Sequence, residues 1–224
     1  MNKRIQRLFY LAAGLLTAFI AWTFAVCFMD VQEIGPLGSA VGFATLNQFV
    51  HEQTGVNIQL YDITDWLSLI PLGFVMGFAV LGLTQWIQRK YILKVDYSIL
   101  VLGGFYAVVM ALFVFFEKFV INYRPVLIDG ISEASYPSST TMLVLCVMPT
   151  TIMQLHSRIR SVILRRTATV FLASFSIFMV LGRLISGVHW ISDIIGGILL
   201  SAGLVTLYCA VCALEPAKKA GNQC

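Results

Sequence analysis

The sequence predicts an all-α integral membrane protein with six transmembrane helices and an amphipathic helix lying at the interface between the first two. Three observations carry this. The chain of 224 residues is 58% hydrophobic and 12% charged, far more apolar than a soluble domain of that length could bury. Six apolar runs reach or approach the ~20 residues needed to cross a bilayer at ~1.5 Å rise per residue. Finally, the basic residues gather on alternate connections between those runs.

The first run, 9–29, follows Lys3, Arg4 and Arg7, a charged start that a signal peptide would share. No small-x-small cleavage site precedes Asp30, so the run reads as an uncleaved anchor. The connection 31–65 places Leu37, Val41, Ala44, Leu46 and Val50 at roughly helical spacing, which predicts a helix lying in the interface, there to cover the bundle or to shape a lateral entrance for lipid. His51 at its end reads as a wet surface residue. The remaining runs are 66–86, 97–116, 141–155, 168–185 and 194–214, the fourth short and extended towards Ser138 and Ser139. With no repeat and no long linker, residues 1–224 read as one domain.

Arg89, Lys90, Lys94, Arg158, Arg160, Arg165, Arg166, Lys218 and Lys219 fall on the same side as the N-terminal cluster. By the positive-inside rule that side is the cytoplasm and holds both termini, in a multi-pass protein of the plasma membrane. The net charge of +4 is thereby explained as topology, and nucleic-acid binding has no support. Cys27, Cys146, Cys209 and Cys212 lie in apolar runs and read as small packing residues, and Cys224 as a lone terminal thiol. His156 falls on the cytoplasmic side.

Only Lys118, Arg124 and Arg183 remain for the outer face, where a cation serves no topological purpose and suggests function. Three segments concentrate polarity there. In "GRLISGVHWISD", His189 and Asp193 are four apart, on one helical face if the last helix starts early. A carboxylate so placed fixes an imidazole tautomer and leaves its second nitrogen free as nucleophile or base. The same residues also fit a structural Arg183–Asp193 pair with a packed histidine. In "NYRPVL", Arg124 adds a second guanidinium fork, which suits a phosphoryl group better than head-group contact alone does. In "YPSSTTM", Pro137 precedes a helix start with Ser138 or Ser139 as its cap, and the first turn's free N–H groups and dipole favour an anion. Asp129 and Glu133 read as loop charges without metal-ligand spacing.

In this order and on one membrane face, the three segments resemble the motifs of the type 2 phosphatidic acid phosphatase (PAP2) superfamily: Lys-x6-Arg-Pro, Pro-Ser-x-His and Ser-Arg-x5-His-x3-Asp. Arg124-Pro125, Pro137-Ser138, Arg183, His189 and Asp193 match, with Gly182 replacing the leading serine. The resemblance implies a six-helix bundle that hydrolyses a lipid phosphate without metal or other cofactor. His189 becomes a phosphohistidine and Asp193 orients it, while Arg124, Arg183, Ser138 and the backbone of Ser139 hold the phosphate.

Two departures matter. Lys118 stands one residue closer to Arg124 than the motif's lysine, because Glu117 occupies that place; one residue on a helix is a rotation of about 100°. Thr140 stands where the family has the histidine thought to protonate the leaving group. Threonine has no titratable proton near neutral pH, and general acid–base help is worth about 10²–10⁴-fold. A diphosphate expels a phosphate monoester with a second pKa of about 6 and suffers less from this loss than a monophosphate, which expels an alkoxide. The expected substrate is therefore a polyprenyl diphosphate of the undecaprenyl type, in the cell envelope, with phosphatidylglycerophosphate or phosphatidic acid next. A rival reading is an inactive homologue that binds lipid phosphates or a partner. A transporter is disfavoured, since the spans carry essentially no ionisable residue at mid-bilayer.

Overall fold

The computed structural model describes residues 2–214, so Lys218, Lys219 and Cys224, used above for orientation and thiol usage, lie outside the described residues. The fold is helical throughout: α1 Lys3–Phe28, α2 Ala44–Thr54, α3 Ile58–Leu67, α4 Leu69–Arg89, α5 Tyr97–Lys118, α6 Ser139–Arg158, α7 Val162–Ile185 and α8 Ile191–Cys212. Among the described residues the only extended pairings are isolated bridges, such as Gln32 with Val41.

Helix ends follow local chemistry. Asn2 starts α1 by accepting the Arg4 N–H at 3.0 Å, and Asn57 starts α3 by accepting that of Leu60 at 3.0 Å. Ser138 caps α6, its hydroxyl accepting the Thr141 N–H at 3.5 Å.

Among the described residues five stretches are long and apolar enough to cross a membrane: α1, α3 with α4 as Ile58–Arg89, α5, α7 and α8. The sixth long helix, α6, has 20 residues, enough to span a bilayer, but is enclosed by protein. It packs against α4, α5, α7 and α8 and buries Thr140, Thr141, Thr150, Thr151 and Gln154. Because its surroundings are side chains rather than lipid, polar groups with partners are tolerated there. Thr150 donates to the Cys146 carbonyl at 2.8 Å, and Gln154 to the Tyr208 hydroxyl at 2.6 Å.

The 31–65 connection differs from expectation. Leu37 sits in a short 3-10 turn at φ 58°, and Val41 bonds back to Gln32. Neither belongs to α2, which begins only at Ala44. The inner face of α2 buries Asn47, whose side chain holds Gly42 and Ser192 at 2.7 and 2.9 Å. His51 is half-buried against Trp190, with ring centroids 5.5 Å apart, rather than fully wet.

α8 lies at the centre, against α1, α5, α6 and α7. Its approach to the start of α6 requires Gly196, where a Cβ would stand 2.6 Å from the Tyr136 ring. The helices alternate in direction. One end therefore collects the C-termini of α5 and α7 and the N-termini of α6 and α8, and the other collects Arg89, Arg158 and Arg165. At that second end Asp96 pairs with Arg89 at 2.9 Å and with Arg158 at 3.1 Å.

Candidate functional site

His189 lies in the turn between α7 and α8, not in a helix. The turn is pinned from outside: the Asn57 N–H donates to the Ser186 carbonyl at 3.0 Å. Gly187 adopts φ +68°, and a Cβ there would fall 1.8 Å from the Gly55 carbonyl oxygen. Only glycine meets both conditions. Gly187→Ala is expected to cost about 2 kcal/mol or more, a fall of roughly 4–8 °C in the midpoint of a thermal melt in detergent, with displacement of His189.

Because α8 begins at Ile191, His189 and Asp193 do not share a helical face, and the direct carboxylate–imidazole contact expected from their spacing is replaced by a bridge. The Ser135 hydroxyl donates to Asp193 Oδ2 at 2.5 Å and lies 3.0 Å from His189 Nδ1. With its one proton committed to the carboxylate, the hydroxyl accepts from Nδ1–H. That fixes the tautomer and leaves the Nε2 lone pair free. Nε2 is buried and has no hydrogen-bond partner among the described residues. Burial, with Arg124 and Arg183 beside it, pushes the imidazole well below its ordinary range, so the ring is held neutral with an open lone pair. Asp193 is fully buried and also accepts from Asn122 Nδ2 at 3.2 Å and the Trp190 N–H at 3.0 Å.

The two arginines converge. Arg183 is 1% exposed, and its Nη2 donates to Asp65 Oδ1 and to Thr140 Oγ1, each at 2.7 Å. Arg124 Nη2 pairs with Glu133 at 3.1 Å. The Tyr61 ring underlies both guanidiniums, at 4.8 Å from Arg183 and 5.5 Å from Arg124, a stacking that holds the pair in register. The Nε and Nη1 atoms of both arginines are buried without a partner among the described residues. Buried donors in that state are costly unless an anion takes them.

The Ser138 backbone N–H is already used by the Asp193 carbonyl at 3.1 Å, which ties the second segment to the third. The first-turn N–H groups of α6, from Ser139 on, lack helical acceptors. Lys118 is exposed at the end of α5, with no ion pair or hydrogen bond to the others among the described residues. Glu133, read from sequence as a loop charge, is instead tied to Arg124. Sequence reasoning passed over Ser135, Asn122, Tyr61 and Asp65; Asn122, the first residue of "NYRPVL", and Ser135, next to the "YPSSTTM" stretch, stood where a motif could have flagged them, whereas Tyr61 and Asp65 did not. No cluster of three or more His, Cys, Asp or Glu is placed to hold a metal among the described residues.

From Asp65, Ser139 and Thr140 a cavity of about 360 Å³ runs down between α4, α5 and α6 past Leu72, Val75, Tyr106 and Val147. At Val75 and Tyr106 it adjoins an apolar groove of about 520 Å³ between α4 and α5. The charged pocket is therefore bordered by apolar space between α4, α5 and α6.

No curated protein matches the sequence. The backbone is similar to the crystal structure of the first transmembrane PAP2 type phosphatidylglycerolphosphate phosphatase from Bacillus subtilis, with a TM-score of 0.61 at 17% identity, over 93% of this chain and 97% of that one. A family model described as the PAP2 superfamily matches residues 100–214, just over half the chain and all three polar segments. With multiple apolar helices around that match, the chain is a multi-pass membrane protein that belongs to the PAP2 superfamily.

Proposed function

We propose that this protein is a metal-independent lipid phosphatase acting on a polyprenyl diphosphate through a phosphohistidine, at the outer face of the plasma membrane. The observation that carries the reading is the set of buried, unpartnered nitrogens at one end of the bundle: Nε and Nη1 of Arg124 and Arg183, and Nε2 of His189. The arginine donors suit the equatorial oxygens of a phosphoryl group, whose transfer needs mostly positioning and charge stabilisation, and the Nε2 lone pair suits its phosphorus. Nε2 attacks the terminal phosphorus and the bridging P–O bond breaks. The departing lipid monophosphate carries the electron pair away without needing a proton. Asp193, acting through Ser135, steadies the charge that develops on the imidazole.

Six spans and one domain follow if α6 crosses within its protein sheath; its 20 residues cover about 30 Å. The basic residues at the opposite end favour a cytoplasmic location for that end and for the termini. The first-turn N–H groups of α6 supplement the arginines, with Ser138 as cap. Lys118, exposed, contributes long-range attraction rather than a direct contact. The hydrocarbon chain follows the paired cavities between α4 and α5.

The test is phosphate release by the purified protein in detergent, from undecaprenyl diphosphate and from a lipid monophosphate, for the wild type and Thr140→His. The wild type is expected to favour the diphosphate. Thr140→His should raise monophosphate turnover by about 10²-fold or more, with a smaller gain on the diphosphate. Equal gains on both substrates sink the diphosphate preference. No release from either protein leaves a lipid-phosphate binder.

A further inference from the structure

Attack of His189 on phosphorus completes only half a turnover. The phosphohistidine must then be cleared by water, and a water that bonds to phosphorus has to lose a proton. Thr140, at the position that faces this work, has a hydroxyl that accepts a hydrogen bond from Arg183 and no group able to take a proton near neutral pH.

A carboxylate stands beside it. Asp65 Oδ1 and Thr140 Oγ1 are bound to the same nitrogen, Arg183 Nη2, each at 2.7 Å. Both residues, with Ser139, line the cavity that opens from the site. Asp65 Oδ2 accepts no hydrogen bond among the described residues. The Asp65 side chain is 58% exposed where Arg183 is 1% exposed, so a proton taken up there can pass to solvent. The other acidic group near the arginines, Glu133, sits on Arg124 and lines a different pocket. Tyr61 presents its ring face to the guanidiniums, and its phenol is not a base. Asp65 is carried in by α3, a helix whose last turn leads into α4 through Ser68. It thus reaches the site from a part of the chain that none of the three polar segments includes.

Resting on the phosphatase reading, we infer that Asp65 is the base that activates the water clearing the phosphohistidine, in place of a proton-transfer group at residue 140. With Oδ1 bound to Arg183, the second oxygen of Asp65 is the one that serves as acceptor. The water oxygen bonds to phosphorus as the P–Nε2 bond breaks. The electron pair of that bond returns to Nε2, the water proton goes to Asp65, and inorganic phosphate leaves.

The experiment follows both halves of the reaction on terminally ³²P-labelled undecaprenyl diphosphate, in wild type, Asp65→Asn, Asp65→Ser and His189→Gln. Both Asp65 variants are expected to release one equivalent of lipid monophosphate rapidly and then turn over about 10²-fold or more slowly than wild type. The label should stay on the protein in an acid-labile, alkali-stable form. Two variants are used so that misfolding of one, seen by gel filtration, leaves the other to decide. Phosphate release within about threefold of wild type, or loss of the phosphoenzyme along with turnover, overturns the inference. The second result marks Asp65 as a support for Arg183 alone. If wild type shows no release dependent on His189, the phosphatase reading itself falls, and the inference with it.

Discussion

Replacement of His189 by glutamine is expected to abolish phosphoenzyme formation and lower phosphate release by ~10⁴-fold or more, since nucleophile deletions in covalent enzymes leave only binding and charge stabilisation. Glutamine keeps a hydrogen-bonding group in the turn without a lone pair of comparable nucleophilicity. Arg124, Arg183 and the first turn of α6 should go on binding the lipid phosphate. The variant ought therefore to hold substrate with nearly unchanged affinity while failing to turn it over. Loss of binding in parallel with loss of turnover would instead mean that His189 organises the anion site and is not the attacking group.

The same substitution gives a stability test with a definite sign. His189 is 3% exposed, and burial together with the two arginines holds its folded-state pKa well below the usual value. Below about pH 6.5 the unfolded chain takes a proton that the folded imidazole refuses. Folding stability should then fall as pH drops through that value, by up to about 1.4 kcal/mol per pH unit from this group alone. Above it, the group contributes no pH dependence. In His189→Gln the acid-side slope should be shallower by that amount, which denaturant or thermal titrations between pH 7 and pH 5 would detect. An unchanged slope would mean that the folded imidazole takes up its proton in the same range as the unfolded one, so that burial and the two arginines do not hold the ring neutral.

How far the sequence discloses this molecule depends on how locally each feature is encoded. The lipid-facing helices are plain because their environment demands long apolar runs, whereas α6 is blurred because its neighbours are protein and admit Thr140, Thr150, Thr151 and Gln154. Spacing grouped Arg124, Arg183, His189 and Asp193 as one candidate site, since each belongs to a short motif at a helix end or in the loop before α6. It could not show that His189 lies outside α8, because the start of that helix is set by the pinned turn at Ser186 and Gly187. It was silent on Asp65, which meets Arg183 from 118 residues away, and on Tyr61, whose role depends on two arginines brought together only by folding. The 31–65 connection was legible only in part: of the residues at helical spacing, Ala44, Leu46 and Val50 lie in α2, while Leu37 and Val41 precede it. The side of α2 that matters buries Asn47 against the start of α8.

Ser135→Ala should lower kcat by about 10²-fold with little change in KM. Its hydroxyl touches no part of the phosphate cradle, and its two contacts are Asp193 Oδ2 at 2.5 Å and His189 Nδ1 at 3.0 Å. Without it Nδ1–H loses its acceptor, the imidazole is free to place its proton on Nε2, and the attacking lone pair is lost in that fraction of molecules. Asp193 keeps Asn122 and the Trp190 N–H as partners, so the carboxylate stays in place and the protein should fold normally. Ser135→Thr retains the hydroxyl and should recover most of the rate. Ser135→Ala should also slow formation of the phosphohistidine rather than its breakdown, the opposite of what Asp65→Asn does. The two variants thus divide the cycle between its halves. If Ser135→Ala left phosphoenzyme formation unchanged, Asp193 would have to reach His189 directly, and the serine would serve only to pack the turn.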